Sequence, residues 1–139
     1  MLNRTGIRKE SFGNRNQILF AIEHQVSVGV IVDDAVVSSP DSSGRKIVKA
    51  GTPLTGNLDA RGTAFTAASA GSSSAASNAV GILLHDVDVT SGDGNGTLLL
   101  FGFVNTDRID DTTKAKLTQY VKAALPMIKF VAADTMSAD

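Results

Sequence analysis

Cysteine and tryptophan are absent from the 139-residue chain, and tyrosine occurs once. Without cysteine there is no disulfide, no thiol nucleophile and no cysteine-ligated zinc or iron–sulfur site. Aromatic residues make up 5% of the chain, too few to interleave with basic residues as a base-stacking surface. No apolar run approaches the roughly 18 residues that a membrane-spanning helix needs, and the N-terminus has no apolar signal core. An excess of either charge is lacking as well. Thirteen Lys and Arg stand against 14 Asp and Glu, for a net charge of −1, which argues against a dedicated nucleic-acid binder. What is present is the material of a folded domain: 42% hydrophobic and 19% charged residues, outside the range of disordered chains. A chain of this size hides roughly two thirds of its unfolded surface. That allows one core without crosslinks, and perhaps an arm.

Charge is unevenly distributed. Within residues 1–15, Arg4, Arg8, Lys9 and Arg15 face only Glu10, a local charge of +3. The remainder therefore carries −4, because the whole chain is −1. Leu2, Ile7 and Phe12 stand isolated among polar neighbours, too little apolar surface for this segment to order itself. Residues 1–16 read as an arm, with a frayed terminus as the simpler alternative, and residues 17–139 as a single domain.

From Val26 the chain alternates. Val26, Val28, Val30 and Val32 are interleaved with Ser27, Gly29 and Ile31, the period of a half-buried strand. Asp33-Asp34 offers a turn, and residues 38–44 are turn formers throughout. Arg45–Lys49 reads as a short strand halted by Gly51 and Pro53. Residues 59–78 are rich in Ala, Ser and Gly and read as a long surface loop with almost nothing large to bury.

The second half is more sharply patterned. Val80, Ile82 and Leu84 share one strand face; Leu83, Val87 and Val89 share the other. Gly92–Gly96 suits a hairpin connection. Leu98–Phe101 and Phe103-Val104 are apolar on both faces, as a central strand would be, with Gly102 marking a bulge or a close backbone approach. Asp110 or Asp111 begins a helix whose Leu117, Tyr120, Val121, Ala124 and Leu125 fall at helical spacing, and Pro126 ends it. Met127–Val131 reads as a last strand. The whole predicts a mainly β (α+β) domain with one late helix packed on a sheet or barrel edge.

Catalytic chemistry has little to stand on. His85 lies on the apolar parity of Leu83 and Val87, where a histidine is more often a satisfied core or rim residue than a base. No G-x-S-x-G elbow occurs, and no phosphate-binding glycine pattern sits between a strand and a helix. Asp86 and Asp88 would point the same way from one strand, about 7 Å apart, followed by Asp93 and Asn95. Such oxygen clusters suit calcium, but the EF-hand order is missing and the simpler reading is a solvated strand face running into a turn. An enzyme built on His85 with Asp86 or Asp88 and a divalent ion is the distant alternative. No catalytic residue, metal site or cofactor is assigned.

Three blocks then stand out: Gly44–Leu54 (GRKIVKAGTPL), Ala79–Val89 (AVGILLHDVDV) and Thr97–Val104 (TLLLFGFV). In this order, with a helix and strand to follow, they resemble the head decoration (capsid cement) proteins of tailed bacteriophages, of the lambda decoration protein type. The related head-fibre base proteins of phages infecting Gram-positive hosts are similar too. The resemblance covers about residues 44–131. It implies a small β-clip-like or β-barrel-like domain, not an enzyme, that forms a homotrimer. It also implies a place on the outer surface of the expanded capsid, bound to the major capsid protein, after assembly in the host bacterial cytoplasm. Neither nucleic acid nor membrane is an expected partner. The family's arm adds a strand to a capsid-protein sheet, which would assign that role to Thr5, Gly6, Ile7, Arg8, Lys9 and Phe12. Gly51, Pro53, Gly81 and Gly102 are the structural residues of the shared blocks. A head-fibre base is the nearer alternative function. The front section 17–43 and the Ala/Ser loop 63–78 depart from the lambda type.

Overall fold

The computed structural model describes Ile18, Leu19 and residues 24–132. The proposed arm, with Thr5, Gly6, Ile7, Arg8, Lys9 and Phe12, lies outside the described residues, as does the end of the tail beyond Ala132.

Among the described residues, eight strands and two short helices follow in order: β1 (Val26–Val32), β2 (Ile47–Val48), β3 (Pro53–Thr55), β4 (Thr66–Ala67), β5 (Gly81–Leu83), β6 (Val87–Asp88), β7 (Gly94–Asn105), α1 (Asp111–Lys114), α2 (Gln119–Ala124) and β8 (Ile128–Val131). Single 3-10 turns occupy Asp34–Val36 and Thr106–Arg108. The main sheet has the order β1-β7-β5-β3-β4, with β8 also paired to β7; β2 and β6 form a separate two-stranded sheet. Among the described strands every pairing is antiparallel except β7 with β8, and an isolated parallel bridge joins Val32 of β1 to Phe65. The domain is thus mainly β with its helices late in the chain, as the composition and periodicity predict.

The long apolar run becomes the hub of the sheet. β7 pairs with β1 over Val26–Val32, with β5 at Leu98 and Leu99, and with β8 over Gly102–Asn105. A strand covered this way must be apolar on both faces, and its two faces feed two separate cores. Leu99 joins Ile82, Leu84, Leu117, Val121, Leu125 and Ile128 under the helices. Leu98 joins Val32, Leu54, Phe65, Leu83, Val87 and Val89 on the opposite side, beneath the small β2–β6 sheet. The alternation read for Ile82 and Leu84 against Leu83, Val87 and Val89 therefore holds; Val80 departs from it and packs against the second core.

Several local expectations are corrected. Gly94 and Gly96 are not hairpin residues but the start of β7, in register with Val32 and Val30. β6, which precedes them, pairs with β2 instead. Pro53 opens β3 rather than halting β2; a proline tolerates the first position of a strand because no ladder donor is lost there. The turn before it is made by Gly51, at φ +97°, where a Cβ would stand 2.9 Å from the Ile109 side chain. The late helix forms as two short segments. Thr118 interrupts it, adopting extended backbone and accepting at Oγ1 from the Val121 N–H as an N-cap. Its hydroxyl also donates to the Ala70 carbonyl at 2.7 Å. A threonine that caps and crosslinks in this way competes with continuous helix.

The Ala/Ser-rich stretch is a loop only in part: Thr66–Ala67 within it form β4, paired with β3, and the remainder is a tied loop. Ser69 N–H donates to Asn78 Oδ1, Ser77 Oγ to the Ser69 carbonyl, and Asn78 N–H to Ser69 Oγ. Small polar side chains thus close the loop across its own base. At its start sits Phe65, the largest fully buried side chain of the described residues, so the stretch does bury something large. Phe65 N–H donates to the Ile31 carbonyl and its own carbonyl accepts from Asp33 N–H, which fixes the ring beneath β1.

Candidate interaction surface

The histidine and carboxylates that carried the enzymatic alternative do not assemble. A bend at Leu84-His85 ends β5, so His85 leaves the apolar parity and is exposed. Asp86 and Asp88, both exposed, are engaged by different backbone partners. Asp86 Oδ1 accepts from Ala50 N–H at 2.8 Å, and its Oδ2 lies 3.9 Å from Lys49 Nζ. Asp88 Oδ1 accepts from both the backbone N–H and the hydroxyl of Thr90. Those two bonds, the hydroxyl's first, hold its carboxyl below the usual carboxylate range. Thr90 Oγ1 in turn accepts from Lys46 N–H, so this carboxylate stitches the end of the small sheet. Asp93 is grouped not with Asp86 or Asp88 but with Asp33 and Asp34, their oxygens within 4.8 Å of one another. Two of the three serve turns: Asp33 Oδ1 accepts from Ala35 N–H and Asp93 Oδ1 from Asp34 N–H.

A different feature is concentrated at the other end of β7. Between Val26 and Ser27 the β1–β7 register slips: Val26 stands opposite Phe101, but Ser27 stands opposite Leu99. Leu100 is the extra residue of a β-bulge. A bulge shifts the in–out alternation by one. Up to Leu100 the odd position, Leu99, faces the helix-side core; beyond it Gly102 and Val104 are buried, and Val104 belongs to that same core. Phe101 and Phe103 are therefore turned outward, 37% and 36% exposed. Val26, the partner of Phe101, is 53% exposed. Met127 is 60% exposed, and its carbonyl accepts from the Gly102 N–H between the two rings. Four of the five large hydrophobic side chains exposed among the described residues thus form one patch.

The beginning of the described chain lies against the same end of β7. Leu19 bridges Val104, and the Ile18 carbonyl accepts from Asn105 N–H at 2.7 Å. Phe103 stands one residue away along the strand, opposite Lys129 of β8.

The family-block residues are structural. Gly81 lies buried in β5, where a Cβ would come 2.6 Å from the Leu99 carbonyl oxygen. Gly102 sits just beyond the bulge, so the sequence placed that feature within two residues. Gly51 and Pro53 form the turn and strand start described above. The patch itself was not singled out from sequence. Its signal was the pair of phenylalanines flanking a glycine, but their direction depends on a bulge that only the partner strand reveals.

The chain matches no protein-family model and no curated protein sequence.

Proposed function

We propose that the chain is a structural virion protein of a tailed bacteriophage, a decoration or cement protein that binds the outer surface of the expanded capsid as a homotrimer. The three sequence blocks that resemble that family motivate the reading. The observation that carries it is the adjacency of the outward-turned Val26–Phe101–Phe103–Met127 patch to Ile18 and Leu19, the root of the basic arm. A contiguous exposed apolar patch marks an interaction site, and an arm rooted beside it can engage the same partner. In this reading the patch packs on the major capsid protein and the arm adds backbone hydrogen bonds. The ordering cost of the arm is offset by multivalent attachment of the trimer. No acid, base or cofactor is required to clamp neighbouring subunits against internal DNA pressure.

The test is co-sedimentation of the purified protein with expanded and unexpanded capsids of the phage that encodes it. Saturable binding to expanded shells alone is the expected result. Absence of binding to both overturns the proposal. Titration with Phe101→Ser/Phe103→Ser should weaken binding by at least about tenfold if the patch faces the shell.

A further inference from the structure

The apolar patch has a single charge at its rim, and that charge is positive. Lys129 stands opposite Phe103 in the β7–β8 pairing, and residues opposite one another in a sheet share a face. Its neighbours Ile128 and Phe130 pack against the helix-side core, so Lys129 is turned the other way, exposed beside the outward rings. In residues 24–32, 94–105 and 125–132, which contain β1, β7 and β8, it is the only Lys, Arg, Asp or Glu. Among the described residues it makes no ion pair. The carboxylates lie elsewhere. Asp93, grouped with Asp33 and Asp34, precedes the opposite end of β7, about 30 Å from Phe103 at strand rise. Asp107 stands past the near end, in the 3-10 turn with Arg108.

We infer that the surface receiving this patch is apolar with a carboxylate at its rim, and that Lys129 pairs with that carboxylate. The inference rests on the capsid reading and specifies the chemistry of the major capsid protein's docking face. Packing Phe103 against a partner strips water from one side of the neighbouring ammonium. A partly desolvated charge with no counter-charge opposes binding, so a partner that fits the rings must also answer Lys129. Charge excludes two other occupants. Residues 1–15 of the chain carry +3, which Lys129 repels. A second copy packed patch to patch would set one Lys129 near the other, since a two-fold contact uses the same surface twice, and the patch strands offer neither of them a carboxylate. A rim charge of this kind sets the rate of encounter and rejects like-charged partners. Lys129 is thus a specificity residue, and the rings supply the contact area.

The test compares the native full chain with Lys129→Glu and Lys116→Glu in binding to expanded capsids. Lys116 is an exposed lysine between α1 and α2, away from the patch, and controls for net charge. At low salt Lys129→Glu should bind at least about tenfold more weakly, chiefly through slower association, and Lys116→Glu within about twofold of the native chain. The Lys129→Glu difference should shrink at about 1 M salt, where charges are screened beyond a few ångströms. Carbodiimide treatment of decorated capsids, which joins an amine to a carboxylate in direct contact, should link Lys129 to an Asp or Glu of the major capsid protein. Equal binding by Lys129→Glu and the native chain overturns the inference and leaves the capsid reading standing. A link from Lys129 to Asp134 or Asp139, or to a second copy, overturns it too, because the chain would then answer its own charge. Absence of binding by the native chain overturns the capsid reading and the inference with it.

Discussion

Phe101 stands opposite Val26 at the one place where the β1–β7 register slips, and both side chains are at the surface. The slip carries Phe103 to the same face. Had the ladder run without a bulge, Phe101 and Phe103 would have continued the parity of Leu99 into the helix-side core. The bulge therefore determines which side of the sheet carries the aromatic rings.

Replacing both rings, Phe101→Ser/Phe103→Ser, should leave folding stability within about 1 kcal/mol of the parent, because the rings are only partly covered in the monomer. Chemical denaturation checks this. The same variant should lose shell binding, measured by sedimentation. A collapse in stability would instead make the patch part of the fold.

Phe65→Ala should cost about 3–5 kcal/mol in urea denaturation, the range for removing a fully buried phenylalanine. The ring is fixed by two backbone bonds to β1, so the site has little freedom to collapse around the cavity. A cost below about 1 kcal/mol would place Phe65 outside the cooperative core.

Gly71→Ala tests whether the Ser-rich loop is seated on α2. Gly71 has φ +77°, and an added Cβ would stand 2.5 Å from Tyr120 Cβ and 2.9 Å from the Ser77 nitrogen. Strain and overlap together should cost about 1–3 kcal/mol. Faster exchange of the Ser69 and Asn78 amides should accompany the loss. Unchanged exchange would show that the loop tolerates displacement from the helix.

Two carboxylates set an acid response. Asp41 is held below the usual range by the Ser43 hydroxyl first, then by the Arg45 and Ser43 backbone N–H groups. Asp88 is held down by Thr90. A carboxyl whose folded pKa is depressed contributes stability above its unfolded value of about 3.9, lost as pH falls through the folded value. The 41–45 turn and the Lys46–Thr90 corner should thus loosen below about pH 4. Asp41→Asn and Asp88→Asn should flatten stability against pH in that window. An unchanged slope in both variants would refute the assignment.

The sequence was most legible where one period dominates. The valine alternation of β1 and the two-sided apolarity of β7 were plain because each strand's environment is uniform over several residues. It was least legible where a second segment decides the outcome. Thr118 fits a helix by spacing, but capping Val121 and bonding Ala70 outweigh continuity. Gly94 and Gly96 look like turn residues until β1 pairs with them. The patch is the same case: Phe101 and Phe103 extend the apolar run of Leu98–Leu100, and only the register with Val26 separates them. His85 follows the apolar parity of Leu83 and Val87 only in an unbroken strand, and the bend at Leu84-His85 turns it out to solvent.

β7 also sets an order of events during synthesis. β1, β3 and β5 lie before it in the chain, yet β1 and β5 meet only through it, and the Leu19 bridge needs Val104. A nascent chain cannot close its main sheet until residue 105 has left the ribosome. Until then β1 and β5 both wait with their β7-facing edges bare, so a chaperone that shields extended strands would have its longest opportunity on this protein before β7 emerges.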